Sequence, residues 1–399
     1  MLNKTFALSS ALKDETLCCN IAGHINAGNS SEFISVLMDI KNSTSHKSLE
    51  LDMKDLVYIS SSGLRGLLMV QKEEPKKVRL SNVSEEIYRT LEITGFTRIF
   101  DTHRVPREFD VTPYEEIARG ATGVIYRIDE ETILKLYPPG KDISFAEDEK
   151  RLSQIALISG VPTAIPYEIV SCNGGYGVLF ELLKADTASA VIMRAETDEE
   201  VKSWGRKLGK LLKDIHKAEA NTLETQSLKD IYISRLRTLT DFLTPEQMET
   251  VITALQRVPD VTTMLHGDFH VKNIMLQGDE FMLIDMVDVG YGHPIFDLSM
   301  NYISSRSTPD ETPRVIGLSP ERAIMVWEAM VGEYFGTEDK EIINKKMQMM
   351  HAFSCPRLML FPAFIPNETE EFKRHFFNRG LVLLPDFVEV TKHIDEFLS

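Results

Sequence analysis

A polar segment near residue 270 has the residue types and the spacing of a phosphoryl-transfer site. Asp268 and Asn273 lie five residues apart within Leu265-His-Gly-Asp-Phe-His-Val-Lys-Asn, and Asp285 follows twelve residues after Asn273. Phosphoryl transfer needs a carboxylate that orients the attacking hydroxyl and accepts its proton, and oxygen ligands that hold Mg²⁺ against nucleotide phosphates. The spacing predicts a loop that supplies Asp268 and Asn273, followed by a hairpin that returns Asp285 to them.

Further pieces of such a site follow one another upstream of this segment. The run Ile117-Ala-Arg-Gly-Ala-Thr-Gly is a glycine loop between two predicted strands, in which Gly120 and Gly123 would let the backbone approach phosphates. Lys135 lies in an alternating strand, and Glu149 lies fourteen residues later on a predicted helix, where it could pair with the lysine. Taken singly, the glycine loop could be a plain hairpin turn and Lys135 a solvated lysine. The order in which these pieces follow one another along the chain favours a nucleotide site.

The hydrophobic pattern indicates which elements must position these residues. Residues 113–183 are strand-rich with one helix at about 143–159, whereas residues 198–262 and 318–399 are helical. A small β-rich lobe followed by a larger helical lobe predicts a cleft between the two lobes.

The first hundred residues have a different hydrophobic pattern, and a polar stretch with two prolines near 102–113 separates them from the rest. Alternating strands and helices over this length predict an α/β domain in which helices cover a sheet. The strands are predicted at 5–9, 17–21, 49–53 and 77–80, and the helices at 30–40, 63–71 and 84–94.

Three serines stand where a predicted strand feeds a predicted helix, in Ile59-Ser-Ser-Ser-Gly. Their hydroxyl oxygens can cap the helix, which is a purely structural role. Alternatively, one of them accepts a phosphate, because the exposed amides and the dipole at a helix N-terminus stabilise added negative charge. The residues alone leave both interpretations open.

Charge and composition exclude several classes of function. The chain has 399 residues and a net charge of −16, and residues 1–108 carry 14 basic and 14 acidic residues, so the acidic excess lies after them. A net-acidic domain binds a phosphate backbone poorly, so nucleic acid is not an expected partner. The absence of a membrane-length apolar run, of an export signal and of a disulfide spacing among the four cysteines predicts a cytoplasmic protein without membrane contact.

The serine segment, with Gly23-His-Ile-Asn before it and Leu80-Ser-Asn-Val after it, resembles the anti-sigma-factor antagonist (STAS) domain over residues 3–103. The resemblance implies a regulatory domain that binds a partner protein. It also implies a phosphoacceptor at Ser62, because in that family a partner kinase commonly phosphorylates the serine directly before the glycine. This chain has Ser60 where the family often has an aspartate.

The remainder, residues 110–395, resembles the aminoglycoside phosphotransferase and choline kinase-like family, which is related to protein kinases. The resemblance implies a bilobal α+β protein-kinase-like fold and an ATP- and Mg²⁺-dependent kinase. Asp268 would be the catalytic base, and Asn273 and Asp285 would bind Mg²⁺. Lys135, fixed by Glu149, would hold the α- and β-phosphates of ATP.

The same resemblance implies the remaining site residues. In the glycine loop, Gly120, Thr122 and Gly123 would contact the nucleotide. The backbone of Glu181 and Leu183 would meet the adenine, whereas His266 and Asp297 would support the catalytic loop. The domains are therefore expected at 1–107 and 108–399, with the lobes of the second at 110–183 and 184–399.

Two features favour a small-molecule alcohol as the phosphate acceptor. His270 replaces the lysine that serine-specific protein kinases commonly carry, and only twelve residues separate Asp285 from Asp297, which is short for a peptide-binding segment. The acidic lobe would suit an amine-bearing acceptor such as an amino alcohol or an aminoglycoside. Two alternatives are a kinase that phosphorylates a STAS-type serine, Ser62 in cis or in trans, and a non-catalytic nucleotide-sensing module.

Overall fold

The computed structural model describes residues 6–120, 122–222, 224–307, 309–364 and 369–398. The chain divides into two compact units, Met1–Arg107 and Glu108–Ser399. Thr5 of the first predicted strand and Ala121 of the glycine loop lie outside the described residues.

The first unit is a sheet with helices, as the sequence predicts. Its strands are β1 (Phe6–Lys13), β2 (Thr16–Ile25), β3 (Ser48–Ile59), β4 (Arg79–Val83) and β5 (Asp101–Arg104), hydrogen-bonded in chain order. Its helices are α1 (Ser30–Ser43), α2 (Ser61–Glu73) and α3 (Glu85–Ile93). The first two strands are antiparallel, and the others pair in parallel, so helical crossovers connect them.

The edge strand β5 is absent from the sequence prediction. Its four residues, Asp-Thr-His-Arg, lack an apolar alternation, and their outer two side chains are exposed. The strand forms because its backbone pairs with β4, with Asp101 opposite Arg79 and Thr102 opposite Leu80. Pairing partners of this kind leave no periodic signal in the sequence.

The second unit begins with a six-stranded sheet and one helix. The strands are β6 (Arg107–Glu108), β7 (Glu115–Arg119), β8 (Val124–Arg127), β9 (Thr132–Leu136), β10 (Pro166–Cys172) and β11 (Gly175–Glu181), in the order β6-β10-β11-β9-β8-β7. The helix α4 (Ile143–Ile158) begins at Asp142, whose carboxylate accepts the Ser144 N–H at 2.9 Å, and it packs on β10 and β11.

The rest of this unit is helical with short strand pairs. The helices are α5 (Ala188–Arg194), α6 (Asp198–Ile215), α7 (Leu228–Leu236), α8 (Pro245–Gln256), α9 (Ile295–Tyr302), α10 (Thr312–Ile316), α11 (Pro320–Phe335), α12 (Lys340–Met359), α13 (Phe361–Phe364), α14 (Glu370–Val382) and α15 (Leu384–Val390). The strands are β12 (Asp186–Thr187), β13 (Met264–Leu265), β14 (Ile274–Gln277), β15 (Glu280–Leu283) and β16 (Gly290–Tyr291). This content confirms the α+β class predicted for the second unit.

Close helix packing forms the core that supports the site. Helix α6 lies against α11 so closely that a Cβ at Gly205 would be 2.5 Å from the Val326 carbonyl oxygen, and one at Gly209 would be 2.4 Å from that of Met330. Only glycine permits such an approach of two backbones. Among the described residues, no helix has the length and apolar character needed to span a membrane.

Candidate active site

Two short strand pairs position the catalytic-loop residues. Strand β13 leads into the loop and pairs with β16, while β14 and β15 form a hairpin with Ile274 opposite Leu283. The Ile284 N–H donates to the Asn273 carbonyl at 2.9 Å, so the hairpin returns the chain to the loop just before Asp285. The predicted hairpin is therefore confirmed. Asp285 itself has φ of +62°, a left-handed conformation that non-glycine residues adopt at a cost of about 1 kcal/mol or more.

Lys135 lies between two carboxylates. Its Nζ is 2.7 Å from Glu149 Oε1 and 2.9 Å from Asp285 Oδ1, and the lysine and glutamate side chains are 8% and 2% exposed. Burial would lower the pKa of Lys135, but the charges of Glu149 and Asp285 overcome it and raise the pKa above its usual value. The lysine is therefore charged, and the structure brings three of the predicted site residues into one cluster.

Tyr137 completes this cluster, and the sequence prediction did not include it. Its hydroxyl donates to Glu149 Oε2 at 2.6 Å, so each oxygen of the glutamate has a partner. Burial, followed by the Glu149 charge, raises the pKa of Tyr137 well above its ordinary value, which keeps the hydroxyl protonated. The signal was present, because Tyr137 directly follows β9, two residues after Lys135, and residues two apart in extended chain point the same way.

The glycine loop meets the cluster through Thr122, whose hydroxyl donates to Asp285 Oδ2 at 3.3 Å. The Gly120 N–H donates to the Gly123 carbonyl at 2.9 Å and closes the loop. A Cβ at Gly123 would be 2.5 Å from the Leu136 carbonyl oxygen, whereas one at Gly120 would meet open space. Steric exclusion therefore requires glycine at position 123 alone.

Asp268 is held by its own loop on one side. Its Oδ2 accepts the Asn273 side-chain N–H at 3.1 Å and lies 3.5 Å from His270 Nε2. Burial would raise the pKa of Asp268, but the nearby His270, together with Arg357 and His266, holds it well below its usual range. Asp268 is consequently ionised near neutral pH.

A helix far along the chain reaches the other oxygen of Asp268. Arg357 of α12 has its Nη2 3.5 Å from Asp268 Oδ1 and 3.9 Å from Asp288 Oδ2. Asp288 lies three residues after Asp285, in a short 3₁₀ turn, and also approaches Arg235 Nη1 at 3.6 Å. Sequence reasoning missed Arg357, because no spacing rule relates α12 to the loop that carries Asp268, and it missed Asp288 as well.

Asp297 fastens the backbone of the loop that carries Asp268. Its side chain is fully buried and accepts the Gly267 N–H at 2.7 Å and the His266 N–H at 2.9 Å. His216 Nε2 lies 3.2 Å from the same carboxylate, and its Nδ1 is 2.8 Å from the Tyr334 hydroxyl. His216 was not predicted from the sequence. The imidazole of His266 lies over the loop as well, with its Nδ1 accepting the Asp268 N–H at 3.2 Å.

The residues expected to meet adenine lie at the end of β11. This strand pairs with β9, which carries Lys135, and Glu181 is its last residue while Leu183 lies two residues beyond it. The Glu181 N–H donates to the Ile165 carbonyl at 2.9 Å, and the Leu182 N–H to that of Glu131 at 2.7 Å. Among the described residues, no acceptor pairs with the backbone N–H of the buried Leu183.

Asn273 and Asp285 have the chemistry of a magnesium site. They offer an amide oxygen and a carboxylate, which are oxygen ligands of the kind that Mg²⁺ prefers beside nucleotide phosphates. The Asn273 side-chain N–H groups point at Asp268, and none of the hydrogen bonds among the described residues involves its Oδ1, which could therefore face a cation. The described residues contain no group of three or more histidine, cysteine, aspartate or glutamate side chains arranged to hold a metal. A nucleotide-bound Mg²⁺ needs none, because phosphates and water supply the other ligands.

In the first unit, Ser62 lies in the first turn of α2. Ser60 caps this helix, since its hydroxyl accepts the Gly63 N–H at 3.3 Å, and it also lies 2.9 Å from the Ser62 hydroxyl. The capping interpretation is confirmed for Ser60. Ser62 is half-buried, and its role as a phosphoacceptor stays a prediction.

Comparison with known proteins confirms both resemblances. The model of the phosphotransferase enzyme family (APH) matches residues 113–319, and that of the STAS domain matches residues 9–108. A choline/ethanolamine kinase family protein from Mesorhizobium loti has 15% identity, with 70% of this chain and 92% of that chain covered and a TM-score of 0.47. The streptomycin–ATP–APH(2")-IIa ternary complex has 15% identity, 78% and 99% coverage and a TM-score of 0.45. An ethanolamine kinase from Plasmodium vivax has 16% identity, 69% and 81% coverage and a TM-score of 0.44.

Proposed function

This chain belongs to the phosphotransferase enzyme family, and we propose that it transfers the γ-phosphate of ATP, in the presence of Mg²⁺, to a hydroxyl group of a small molecule. One observation carries the proposal. The Lys135–Glu149–Asp285 cluster and the Asp268–Asn273 pair meet through the hydrogen bond between Asn273 and the residue before Asp285. One site thus contains a cation for the nucleotide phosphates, oxygen ligands for a metal and an ionised base.

The nucleotide side of the reaction depends on groups that are already held in place. Glu149 fixes the Lys135 ammonium, which would bind the α- and β-phosphates, and the loop from Gly120 to Gly123 would cover them. The open N–H of Leu183 and the carbonyl of Glu181 would bind the adenine edge. Charged side chains that need no reorganisation stabilise a transition state better than mobile ones, which favours catalysis over mere nucleotide sensing.

Asn273 and Asp285 would hold Mg²⁺ at the phosphates. When bound, the ion neutralises charge on the transferred phosphoryl group. Asp285 is at present held by Lys135 and Thr122, so its carboxylate is already oriented toward the site.

Asp268 would bind the hydroxyl group of the acceptor. Its carboxylate would accept a hydrogen bond from the acceptor hydroxyl and take the proton as the new O–P bond forms. The lowered pKa of Asp268 keeps it ionised at neutral pH, and its weak basicity suits a loose transition state in which the proton leaves late.

The segment between Asp285 and Asp297 supports a small acceptor. It consists of the 3₁₀ turn Met286–Asp288, the strand β16 and the start of α9, which leaves no extended stretch for a peptide. A cavity of about 630 Å³ is lined in part by Asp230, Arg235 and Asp288. Its lining residue Asp288 contacts Arg357, which also contacts Asp268. This volume is typical of small-ligand sites. A second cavity of about 670 Å³ lies between α12 and α15, and neither cavity is lined by a predicted site residue; the first is favoured because Asp288 lines it.

The proposal also covers the domain division and the role of the first unit. Residues 108–399 would form the kinase domain, and residues 1–107 would form a STAS domain that regulates it or binds a partner protein. Phosphorylation of Ser62 in cis or in trans has no specific support here, since Ser62 is half-buried and lies beside the Ser60 hydroxyl.

The proposal is tested with Asp268→Asn and a panel of amino alcohols, aminoglycosides and sugars. ATP consumption by the wild type should rise with at least one of them. The variant should keep ATP affinity, because Lys135 and Asp285 are untouched, but lose turnover by about 100-fold or more. Asp241→Asn, an exposed matched control, should behave as wild type. Equal turnover of Asp268→Asn and wild type would refute the role of the base, and intact mass after incubation with Mg-ATP tests the alternative at Ser62.

A further inference from the structure

Arg357 is a charged residue that the proposed reaction does not yet use. Its side chain is 12% exposed and close to two carboxylates, and its guanidinium lies near the hydroxyl of the buried Tyr232. A buried arginine of this kind costs desolvation energy unless its partners fix it in one geometry. Its partners belong to the catalytic loop, to the turn after Asp285 and to α7, so α12 is tied to three parts of the site.

The two oxygens of Asp268 have different sources of support. The Oδ2 contacts come from Asn273 and His270, which belong to the same loop as Asp268 and move with it. The ion-pair partner of Oδ1 is Arg357, which lies 89 residues further along the chain on α12. A carboxylate held at one oxygen can still rotate, whereas one held at both has a fixed plane.

Asp288 fixes the arginine in turn. Burial raises the pKa of Asp288, and Arg357 acts against this effect, so the two groups stabilise each other's charge. The backbone of Asp288 packs directly on the catalytic loop, because a Cβ at Gly267 would lie 2.2 Å from the Asp288 carbonyl oxygen. The guanidinium therefore bridges two segments that already touch, with Asp268 on one and Asp288 on the other.

We propose that Arg357 is a positioning residue for phosphoryl transfer, which holds Asp268 Oδ1 so that the base keeps one orientation toward the acceptor hydroxyl. The inference rests on the proposed function of Asp268. Arg357 takes no proton and touches no reacting atom. Because a displacement of about 1 Å at a reacting group can cost about 100-fold in rate, Arg357→Gln should lower kcat by about 10- to 100-fold. The KM for ATP should stay within about twofold, since the Lys135 cluster is separate.

The assay uses water as the acceptor, so that no substrate has to be known. ADP release from Mg-ATP is measured with the full chain for the wild type, Asp268→Asn, Arg357→Gln and Arg357→Lys. The lysine variant keeps the charge and should recover part of the lost kcat. Arg306→Gln, which breaks an ion pair with Glu328 elsewhere in the same unit, is the matched control and should hydrolyse ATP like the wild type.

A double variant separates positioning from folding. Arg357→Gln alone takes one of two arginine partners from the half-buried Asp288 and leaves it with Arg235, which can lower the stability of the protein. Arg357→Gln combined with Asp288→Asn removes the Asp288 charge, so thermal stability should recover while kcat stays low. Recovery of wild-type kcat in the double variant would overturn the inference, because Arg357 would then only neutralise Asp288.

The remaining outcomes separate this inference from the proposed function. A wild type that hydrolyses ATP, an inactive Asp268→Asn and a fully active Arg357→Gln would overturn the role of Arg357 and keep the proposed function. A wild type that neither binds nor hydrolyses ATP would overturn both. A low kcat with unchanged KM, partial recovery by lysine and none by the double variant would support Arg357 as a positioning residue.

Discussion

Asp297→Asn tests whether one buried carboxylate fastens the catalytic loop. The wild-type side chain accepts three hydrogen bonds, with the Gly267 N–H on Oδ1 and the His266 N–H and His216 on Oδ2. Burial would raise the pKa of Asp297, but its hydrogen bond with His216 and the nearby His266 lower it, so the ionised form is the stable one. Asparagine has almost the same shape but only one acceptor oxygen.

The expected cost follows from these three bonds. The better amide orientation keeps the oxygen on the side with two donors and turns the NH₂ group toward Gly267, whose buried N–H then lacks an acceptor. An unpaired buried donor costs about 1–3 kcal/mol, and each retained bond loses about 1 kcal/mol when its acceptor is no longer charged. The free energy of unfolding of the second unit should therefore fall by about 3–5 kcal/mol.

Tryptophan fluorescence during urea unfolding measures this change in one unit alone. Both tryptophans of the chain, Trp204 and Trp327, belong to residues 108–399, so the signal does not report on the first unit. With an m-value of about 3 kcal/mol/M, the midpoint should move by about 1 M or more to lower urea. Asp241→Asn on an exposed position should shift it by less than about 0.2 M.

The reasoning would be refuted by a variant whose midpoint and m-value match those of the wild type. Such a result would mean that the loop backbone finds other acceptors or that Asp297 is not ionised. A changed m-value with an unchanged midpoint would also count against it, because it would indicate a different denatured state and no loss of native hydrogen bonds.

Two further predictions concern buried polar groups of the same unit. Tyr137→Phe removes the hydroxyl that donates to Glu149 at 2.6 Å, which should weaken ATP binding about 5- to 30-fold. Calorimetry measures the Kd for ATP, and an unchanged Kd would contradict the argument. Burial and then the nearby His216 lower the pKa of His293 to about 4, so the unfolded chain binds a proton that the folded chain does not between pH of about 6.5 and about 4. The free energy of unfolding should fall by about 3 kcal/mol as the pH drops through this window. In urea titrations at several pH values, His293→Asn should make the free energy of unfolding depend less on pH. The same pH dependence in the variant and the wild type would exclude His293 as the cause.

The sequence predicted those parts of the site whose geometry depends on local spacing. Asp268, Asn273 and Asp285 are joined by a loop and a hairpin, so their separations along the chain limit their separations in space. Lys135 and Glu149 lie fourteen residues apart, on a strand and on the helix that follows it, and their side chains meet at 2.7 Å. For such residues, the order of the motif pieces predicts that the side chains lie close together.

The missed residues depend on packing between distant elements. His216 ends α6, and Arg357 lies near the end of α12, and neither has a fixed spacing from the loop that it supports. Each reads in the sequence as an ordinary polar residue in a helix. Their partners appear only when the helices pack, since a buried charge must find an opposite charge wherever the fold brings one.

The charge of the site sharpens the argument about the acceptor. The acidic excess of residues 109–399 suggested an amine-bearing acceptor, but charges more than about 10 Å away are largely screened, so only the lining residues count. In the cavity beside Asp288, that carboxylate pairs with Arg235, and Asp148 pairs with Arg151 at 2.8 Å. Asp230 is then the one lining carboxylate without an arginine among the described residues. An acceptor bound in this cavity would therefore pair one ammonium group with Asp230, and a second positive charge would find no carboxylate there to offset its desolvation.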